Sequence, residues 1–448
     1  MRKVSEPNLL LDALIARVGM SHAGLAARVN ARGGTLGLAY DHASVARWIR
    51  DHAIPRDPAP DLICEVLGEQ LGERLTPADI GMDRGPAAEA VVPLPRVVDR
   101  AAALWRGDLT RPAGGAATAL VTGPEAIGPV WEWQSPPDDR DVSRSGRHQV
   151  SRADVVRLKA ARDRYQEMYR RVGGVPVRPR IVQLLHDEGG PLLRAAYDND
   201  LGRELYRAVG GLAALAGVCA YDGDQQPLSQ KYLHQALRFA KASADRGFGG
   251  YVIVLLATQA LHGGECRLVV QYAEAALRSA GGYLSPALIA DLHSLAAKAY
   301  ARMGDVDGCH GHLRQSEATA ARIDHSGEPA EVSYVQPGLV ECQHAEALRR
   351  LGDLSGALSC AEESVRVIDA VHLRGRVHRL AGLALILTAR GDVDRGAHVA
   401  GQMLGHAAGM ESGRIRDRVG TVITALRPHA GDDVVAELLH RAGYEGWI

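Results

Sequence analysis

Along residues 200–448 apolar positions recur at helical spacing, and the recurrence is itself periodic. Turns at Gly223-Asp224, Gly263-Gly264-Glu265, Gly304-Asp305, Gly352-Asp353 and Gly391-Asp392 stand 40, 41, 48 and 39 residues apart, first glycine to first glycine. An apolar segment precedes each turn, as from Leu295 to Met303, and a second follows it, as from Ala357 to Ile368. The second carries apolar side chains at i, i+3, i+4 and i+7, which is one helix face. A glycine in left-handed conformation ends the first helix, and the aspartate after it caps the second. Small residues five or six positions past the glycine (Cys309, Ala357, Ala397) let the two helices approach closely. The pattern predicts a solenoid of helix pairs, which presents an extended surface and more often binds than catalyses.

The N-terminal pattern is different. Asn8 to Val18 predicts an amphipathic helix with Leu10, Leu11, Leu14, Ile15 and Val18 on one face. Ser21 caps a second helix to Val29, with Leu25 and Val29 inward, and Gly33-Gly34 breaks the chain. Asp41 to Arg50 predicts a third helix, with Val45, Trp48 and Ile49 inward and His42, Ser44, Arg47 and Arg50 outward. After Pro55, Asp61 to Leu71 closes the core. Short helices in this order make a helix-turn-helix. Between the two patterns, prolines at 86, 93, 95, 112, 124, 129, 136 and 137 interrupt every periodicity. One helix is predicted there, Val97 to Trp105. Trp131 and Trp133 read as an extended segment docked on a neighbour, and 135–150 reads as a flexible linker. The expected organisation is thus all-α: a helix-turn-helix domain over 1–83, a Pro-rich connecting segment over 84–150, and a helical repeat domain over 151–448.

Composition narrows the class. Of 448 residues 46% are apolar, yet only two are Phe, so the core rests on Leu, Ala and Val; the 50 glycines are explained in part by the turns. Lys and Arg number 52 against 53 acids, so any nucleic-acid surface is local. Residues 1–56 hold eight basic residues (2, 3, 17, 28, 32, 47, 50, 56) and four acids (6, 12, 41, 51), whereas 57–83 is acidic apart from Arg74. Residues 140–180 hold twelve basic residues and four acids, either a solvated helix face or a supplement to backbone contacts with DNA. Apolar stretches such as Leu212 to Tyr221 fall short of the roughly 20 residues a membrane span needs. No secretory signal is read at the N-terminus, and the six cysteines show no Cys-x-x-Cys pair, as in a reduced compartment. A cytoplasmic protein is expected, associated with the nucleoid when on DNA.

The run from Tyr40 to Arg50 with Ile54-Pro55-Arg56 resembles the recognition-helix region of Cro/repressor-like (XRE-type) regulators. That resemblance implies that Ser44 and Arg47 face DNA while Val45 and Trp48 anchor the helix. The connection from Asn30 to Asp41 departs from the family's tight turn. In the repeats, Tyr300, Gly304, Cys309 and Leu313 fall at offsets similar to the tetratricopeptide repeat, with a longer period. Together with Pro60 to Leu67, Leu75 to Gly81 and Tyr221 to Ala240, the chain resembles actinobacterial regulators with C-terminal tetratricopeptide repeats, including negative regulators of sporulation and antibiotic production. The resemblance implies a repressor of development or secondary metabolism.

The expected function is therefore sequence-specific binding of double-stranded DNA by a homodimer. Arg47 and Ser44 read base edges with help from His42, and Ser21, Arg28, Arg50 and Arg56 touch phosphates. The repeats serve dimerisation and the sensing of an effector, whether small molecule, peptide or protein. The rival is an adaptor that does not bind DNA and grips a protein through its repeats. No nucleotide-binding, hydrolase or zinc-protease motif is present, so no enzyme, cofactor or metal is expected. Cys309-His-Gly-His312 clusters soft ligands, but Cys309 holds a packing position. No asparagine lies beyond 199, so an asparagine ladder for a peptide backbone is absent; Gln225, Gln226, Gln230, Gln235, Gln259 and Gln271 stand as substitutes.

Overall fold

The computed structural model describes residues 7–34, 38–51, 53–56, 58–73, 75–77, 79–82, 93–110, 120–135, 139–369 and 372–447. The chain forms two compact units, Met1–Pro93 and Leu94–Ile448. Every described element is helical apart from two isolated bridges, Arg144 with Tyr197 and Gln149 with Ala196. The all-α class expected from the periodicity is the class observed. Among the described residues no single helix is long and apolar enough to cross a membrane.

The first unit contains α1 (Leu9–Val18), α2 (His22–Arg32), α3 (His42–Arg50) and α4 (Ala59–Leu71). Leu11, Ile15, Leu25, Val29, Val45 and Trp48 close on Ile63, Leu67, Ile80 and Met82. Leu10 is 56% exposed, not inward as its place in the pattern predicted. Buried Asn8 caps α1 by accepting from the Leu11 amide at 3.1 Å and donates to the carbonyls of Ile80 (2.9 Å) and Gly81 (3.1 Å). One side chain therefore starts the first helix and holds the end of the unit.

The second unit opens with α5 (Leu94–Thr110), α6 (Pro124–Gln134) and α7 (Arg152–Val172). Next, α8 (Arg178–Leu184) runs through a π turn into α9 (Gly190–Arg194). Five antiparallel pairs follow: α10 (Asn199–Asp222) with α11 (Gln226–Ser243), α12 (Arg246–His262) with α13 (Cys266–Ala280), and α14 (Pro286–Met303) with α15 (Val306–Ala320). The remaining two are α16 (Leu339–Leu351) with α17 (Leu354–Val367) and α18 (Leu373–Ala389) with α19 (Val393–Ala407); α20 (Gly413–Leu426) then packs on α18 and α19, and α21 (Asp433–Tyr444) on α19. Gly304, Gly352 and Gly391 take the left-handed conformation at the turns. In the first two turns the left-handed residue is one position later, Asp224 and Gly264, while Gly223 and Gly263 keep negative φ. Asp305 and Asp353 cap their helices as expected; Asp392 sits at the cap without a side-chain bond.

The segment read as a linker is instead part of the repeat unit's core. Trp105 on α5 is fully buried and donates through Nε1 to Gln235 at 2.9 Å. Trp133 lies in a helix rather than an extended segment, packed so tightly on α12 that a Cβ at Gly249 would fall 2.3 Å from its indole nitrogen. Pro124 enters in the first turn of α6, where a missing N–H costs nothing, and Pro129 is tolerated within it. Residues 139–150 are pinned as well: Arg238 holds Asp139 at 2.6 and 3.1 Å, and the Val142 amide donates to Asn199 at 3.0 Å. Prolines at 86, 112, 136 and 137 lie outside the described residues.

The pairs curl until α10 of the first meets α18 and α20. Fully buried Asp222, at the end of α10, accepts from the Gly174 amide (2.7 Å) and the Ser412 hydroxyl (2.6 Å) and pairs with Arg374 of α18. Removing one partner of a buried ion pair strands the other charge in a low dielectric. Asp222→Ala is expected to destabilise the repeat unit by about 3–5 kcal/mol in urea unfolding; a loss under about 1 kcal/mol would show that closure does not depend on this carboxylate.

Candidate functional site

Asp41 begins α3 through a reciprocal cap. Its carboxylate accepts from the Ser44 amide and hydroxyl, each at 2.8 Å, while the Asp41 amide donates back to the Ser44 hydroxyl at 3.5 Å. These bonds hold the Asp41 carboxyl below its usual range. Its contribution is therefore complete above the ordinary carboxylate range and lost as pH falls through the lowered value. The cap also corrects the placement of Ser44. It was read as facing outward to DNA, but it is buried at 7% exposure with its hydroxyl committed to Asp41.

At 100° per residue, Ala43, Arg47 and Arg50 share the solvent-facing arc of α3 with His42, and half-buried Ala46 lies between them. The Arg47 guanidinium stands 3.5 Å from the Ser44 hydroxyl and makes no ion pair among the described residues. Arg50 pairs with its neighbour Asp51 at 3.0 Å, fully in solvent, where such a pair is worth little. Arg28, exposed on α2, and Arg56, exposed after α3, also lack an ion pair among the described residues. Ser21 caps α2 by accepting from the Gly24 amide at 3.1 Å. The structure thus groups His42, Arg47 and Arg50 on one arc and turns Ser44 away from it. The two small residues on that arc were not singled out from the sequence, although the alanine spacing was there to be read.

The acidic helix does more than sit beside a basic module. Arg32 pairs with Glu65 and Glu69, and Arg17 with Glu73 at 2.6 Å, so α4 and the residues after it neutralise two cations away from α3. The long α2–α3 connection is clasped by Asn30: its amide donates to the Tyr40 carbonyl at 2.7 Å and accepts from the Tyr40 amide at 2.9 Å. The Tyr40 ring then meets Trp48 edge-on, 5.0 Å between centroids. Residues 35–37 of this connection lie outside the described set.

Elsewhere half of the twelve cations at 140–180 are engaged within the fold, and Arg140, Arg147, Arg152, Arg164, Arg171 and Arg180 are exposed. Arg144 donates to the Arg194 carbonyl, Arg157 pairs with Glu188 and Asp154, and Arg178 with Asp108. The glutamines offered as a ligand ladder are spent likewise: Gln230 clasps the Val121 backbone, Gln235 holds Trp105, and Gln259 donates to the Gln226 carbonyl at 2.6 Å. Cys309 is fully buried, and His312 faces His293 at 2.9 Å between Nδ1 atoms. Asp224, His262 and Asp417 come close enough to share a cation, but Arg414 already lies 3.1 Å from His262 and 2.6 Å from Asp417. That cluster is an ion-pair network.

Comparison with known proteins places the site inside a recognised domain. The family model of the SP15 N-terminal domain matches residues 11–83, the stretch that carries α3 and its caps. No curated protein matches the chain. Among solved structures the chain is similar to aspartyl phosphate phosphatase F from Bacillus subtilis, at 13% identity and a TM-score of 0.34, over 68% of this chain and 92% of that one. A likeness of that size carries no argument about activity.

Asn30→Ala removes both bonds of the clasp and leaves the Tyr40 backbone groups half-buried without partners. Amide protection across α2 and α3 is expected to fall by about 1–2 kcal/mol in native-state hydrogen exchange of the full chain. Unchanged protection would show that the clasp does not set the position of α3.

Proposed function

We propose that the protein is a homodimeric, sequence-specific DNA-binding transcriptional regulator, in the cytoplasm, whose repeat unit serves dimerisation and the sensing of an effector. Repression of development or secondary metabolism follows from the resemblance described above. The observation that carries the reading is the exposed arc of α3. Two small residues, Ala43 and Ala46, let a helix approach base edges closely, and Arg47, which makes no ion pair among the described residues, stands beside them with the fork that matches guanine O6 and N7. Arg28, Arg50 and Arg56 supply phosphate contacts, and Ser21 stands at the α2 N-terminus, where amides attract phosphate. Ser44 takes the role of an internal brace for α3 and of a neighbour to the Arg47 guanidinium. Binding and regulation, without catalysis, account for these features.

Selection of genome fragments by the full-length protein is expected to yield a two-fold-symmetric site, the signature of a dimer. On that site Arg47→Ala costs about 1–3 kcal/mol of discrimination, read by mobility shift. Ala43→Glu places an acid on the same arc without touching the core and is expected to abolish binding to any sequence. If both variants bind like the parent, or if no fragment is enriched and one protein is captured irrespective of salt, the adaptor reading takes its place.

A further inference from the structure

The inner helices of the repeat unit enclose a cavity of about 390 Å³, within the range of about 300–1,000 Å³ typical of small-molecule sites. Part of its lining is apolar: Leu215, Val254, Leu255, Leu295, Leu339 and Ile368. The lining from α7, α18 and α20 carries five arginines. Two of them are neutralised within the fold, Arg374 by Asp222 and Arg414 by Asp417. The other three form no ion pair among the described residues. Arg170 donates to the Ser333 hydroxyl at 2.5 Å, Arg379 to the carbonyls of Pro337 (2.7 Å) and Ser364 (2.9 Å), and Arg418 makes no hydrogen bond or ion pair among the described residues.

The acids that line the same cavity do not balance them. Glu331 is taken by Arg207, and Glu346 by Lys298 at 3.0 Å and Arg302 at 3.5 Å. Asp291 is held by two neutral donors, the Tyr334 hydroxyl at 2.6 Å and the Gln343 amide at 2.5 Å, and burial pushes its carboxyl toward the neutral form. Burial weakens the protonated forms of Arg170 and Arg379, and the charges of Arg374, Arg418 and Arg414 add to burial in keeping His378 neutral. The charges of Glu167, Glu341 and Glu346 reach Arg170, Arg379 and Arg418 without forming an ion pair with any of them among the described residues, and a cation so placed still gains from a charge-assisted bond to an anion. At three further points polar atoms are buried without a partner among the described residues: the Ser229 hydroxyl and the Gln166 and Gln343 amide oxygens. Their residues line the cavity and are at least nine-tenths buried. Such atoms cost free energy until something bonds to them.

We infer that this cavity binds a small amphipathic organic anion: a carboxylate or phosphate head among Arg170, Arg379 and Arg418, and an apolar body along the leucine wall. The inference rests on the sensing role proposed above for the repeat unit and gives it a site and a ligand class. Its test needs no DNA, so the two stand or fall separately. The probe is 1-anilinonaphthalene-8-sulfonate, an aromatic anion, compared with N-phenyl-1-naphthylamine, its neutral counterpart, by fluorescence titration of the full-length protein.

One saturable site is expected for the anion, with the neutral dye at least tenfold weaker. Arg418→Gln, which breaks no hydrogen bond of the fold, should weaken the anion tenfold or more and leave the neutral dye unchanged. Leu255→Trp fills the apolar wall and should weaken both, with thermal unfolding confirming that each variant is folded. Equal affinity for the two dyes, or anion binding indifferent to Arg418, overturns the inference. Mobility shifts on the same preparations report the DNA reading independently.

Discussion

Ring closure in the repeat unit hangs on one carboxylate. Asp222 ends the first helix of the first pair, yet its oxygens are spent on Gly174, Ser412 and Arg374, so the α7–α8 turn, α18 and the start of α20 all meet at a fully buried charge. Burying an ion costs several kcal/mol, and only a full set of donors offsets it. Ser412 joins this set while also capping α20 through the Ile415 amide at 3.1 Å and accepting from Arg374 at 2.9 Å. Starting α20 and closing the ring are therefore one event. An open solenoid would expose its inner helix faces; the closed one gives them an interior with walls of opposite character.

That interior explains why the chain needs a basic stretch at 140–180. Helix α7 lies against α10 and α18, with Arg162 buried and Arg374 placed 5.2 Å over the Tyr169 ring. In the sequence the same cations resemble a solvated face or a supplement to DNA contacts. Half of them (Arg144, Arg157, Lys159, Arg162, Arg170 and Arg178) bond within the unit while the rest are exposed, and Arg170 is the one that α7 leaves facing the cavity without a carboxylate.

What the sequence made legible was whatever a short window specifies. The Gly-Asp turns, the caps at Ser21, Asp305 and Asp353, and the inward face of α3 at Val45 and Trp48 all follow from residues within a few positions of one another. Misreadings arose where one local pattern serves two ends. Prolines in a first helical turn look the same as prolines in a linker, so α6 was hidden and only tertiary packing of Trp133 on Gly249 decides the matter. Ser44, three residues after Asp41, fits both a base-reading position and a capping box. The box wins because the hydroxyl satisfies a helix-end amide whether or not DNA is present. The contact between Ser412 and Asp222 spans 190 residues and leaves no local trace at all.

A chain whose charges nearly cancel acquires charged sites by pairing its cations unequally. In the first unit the acids of α4 and Glu73 take Arg32 and Arg17, which leaves Arg28, Arg47 and Arg56 without ion pairs among the described residues, all of them exposed. In the repeat unit the acids take Arg178, Arg207, Arg374 and Arg414, which leaves Arg170, Arg379 and Arg418 around an apolar cavity. Exposed cations on a helix suit an extended polyanion in water, where released counterions supply the free energy. Enclosed ones suit a single desolvated head group, where the low dielectric strengthens each bond and each unpaired cation costs most. The same residue type thus fits two kinds of anion, and the acids placed around it decide which.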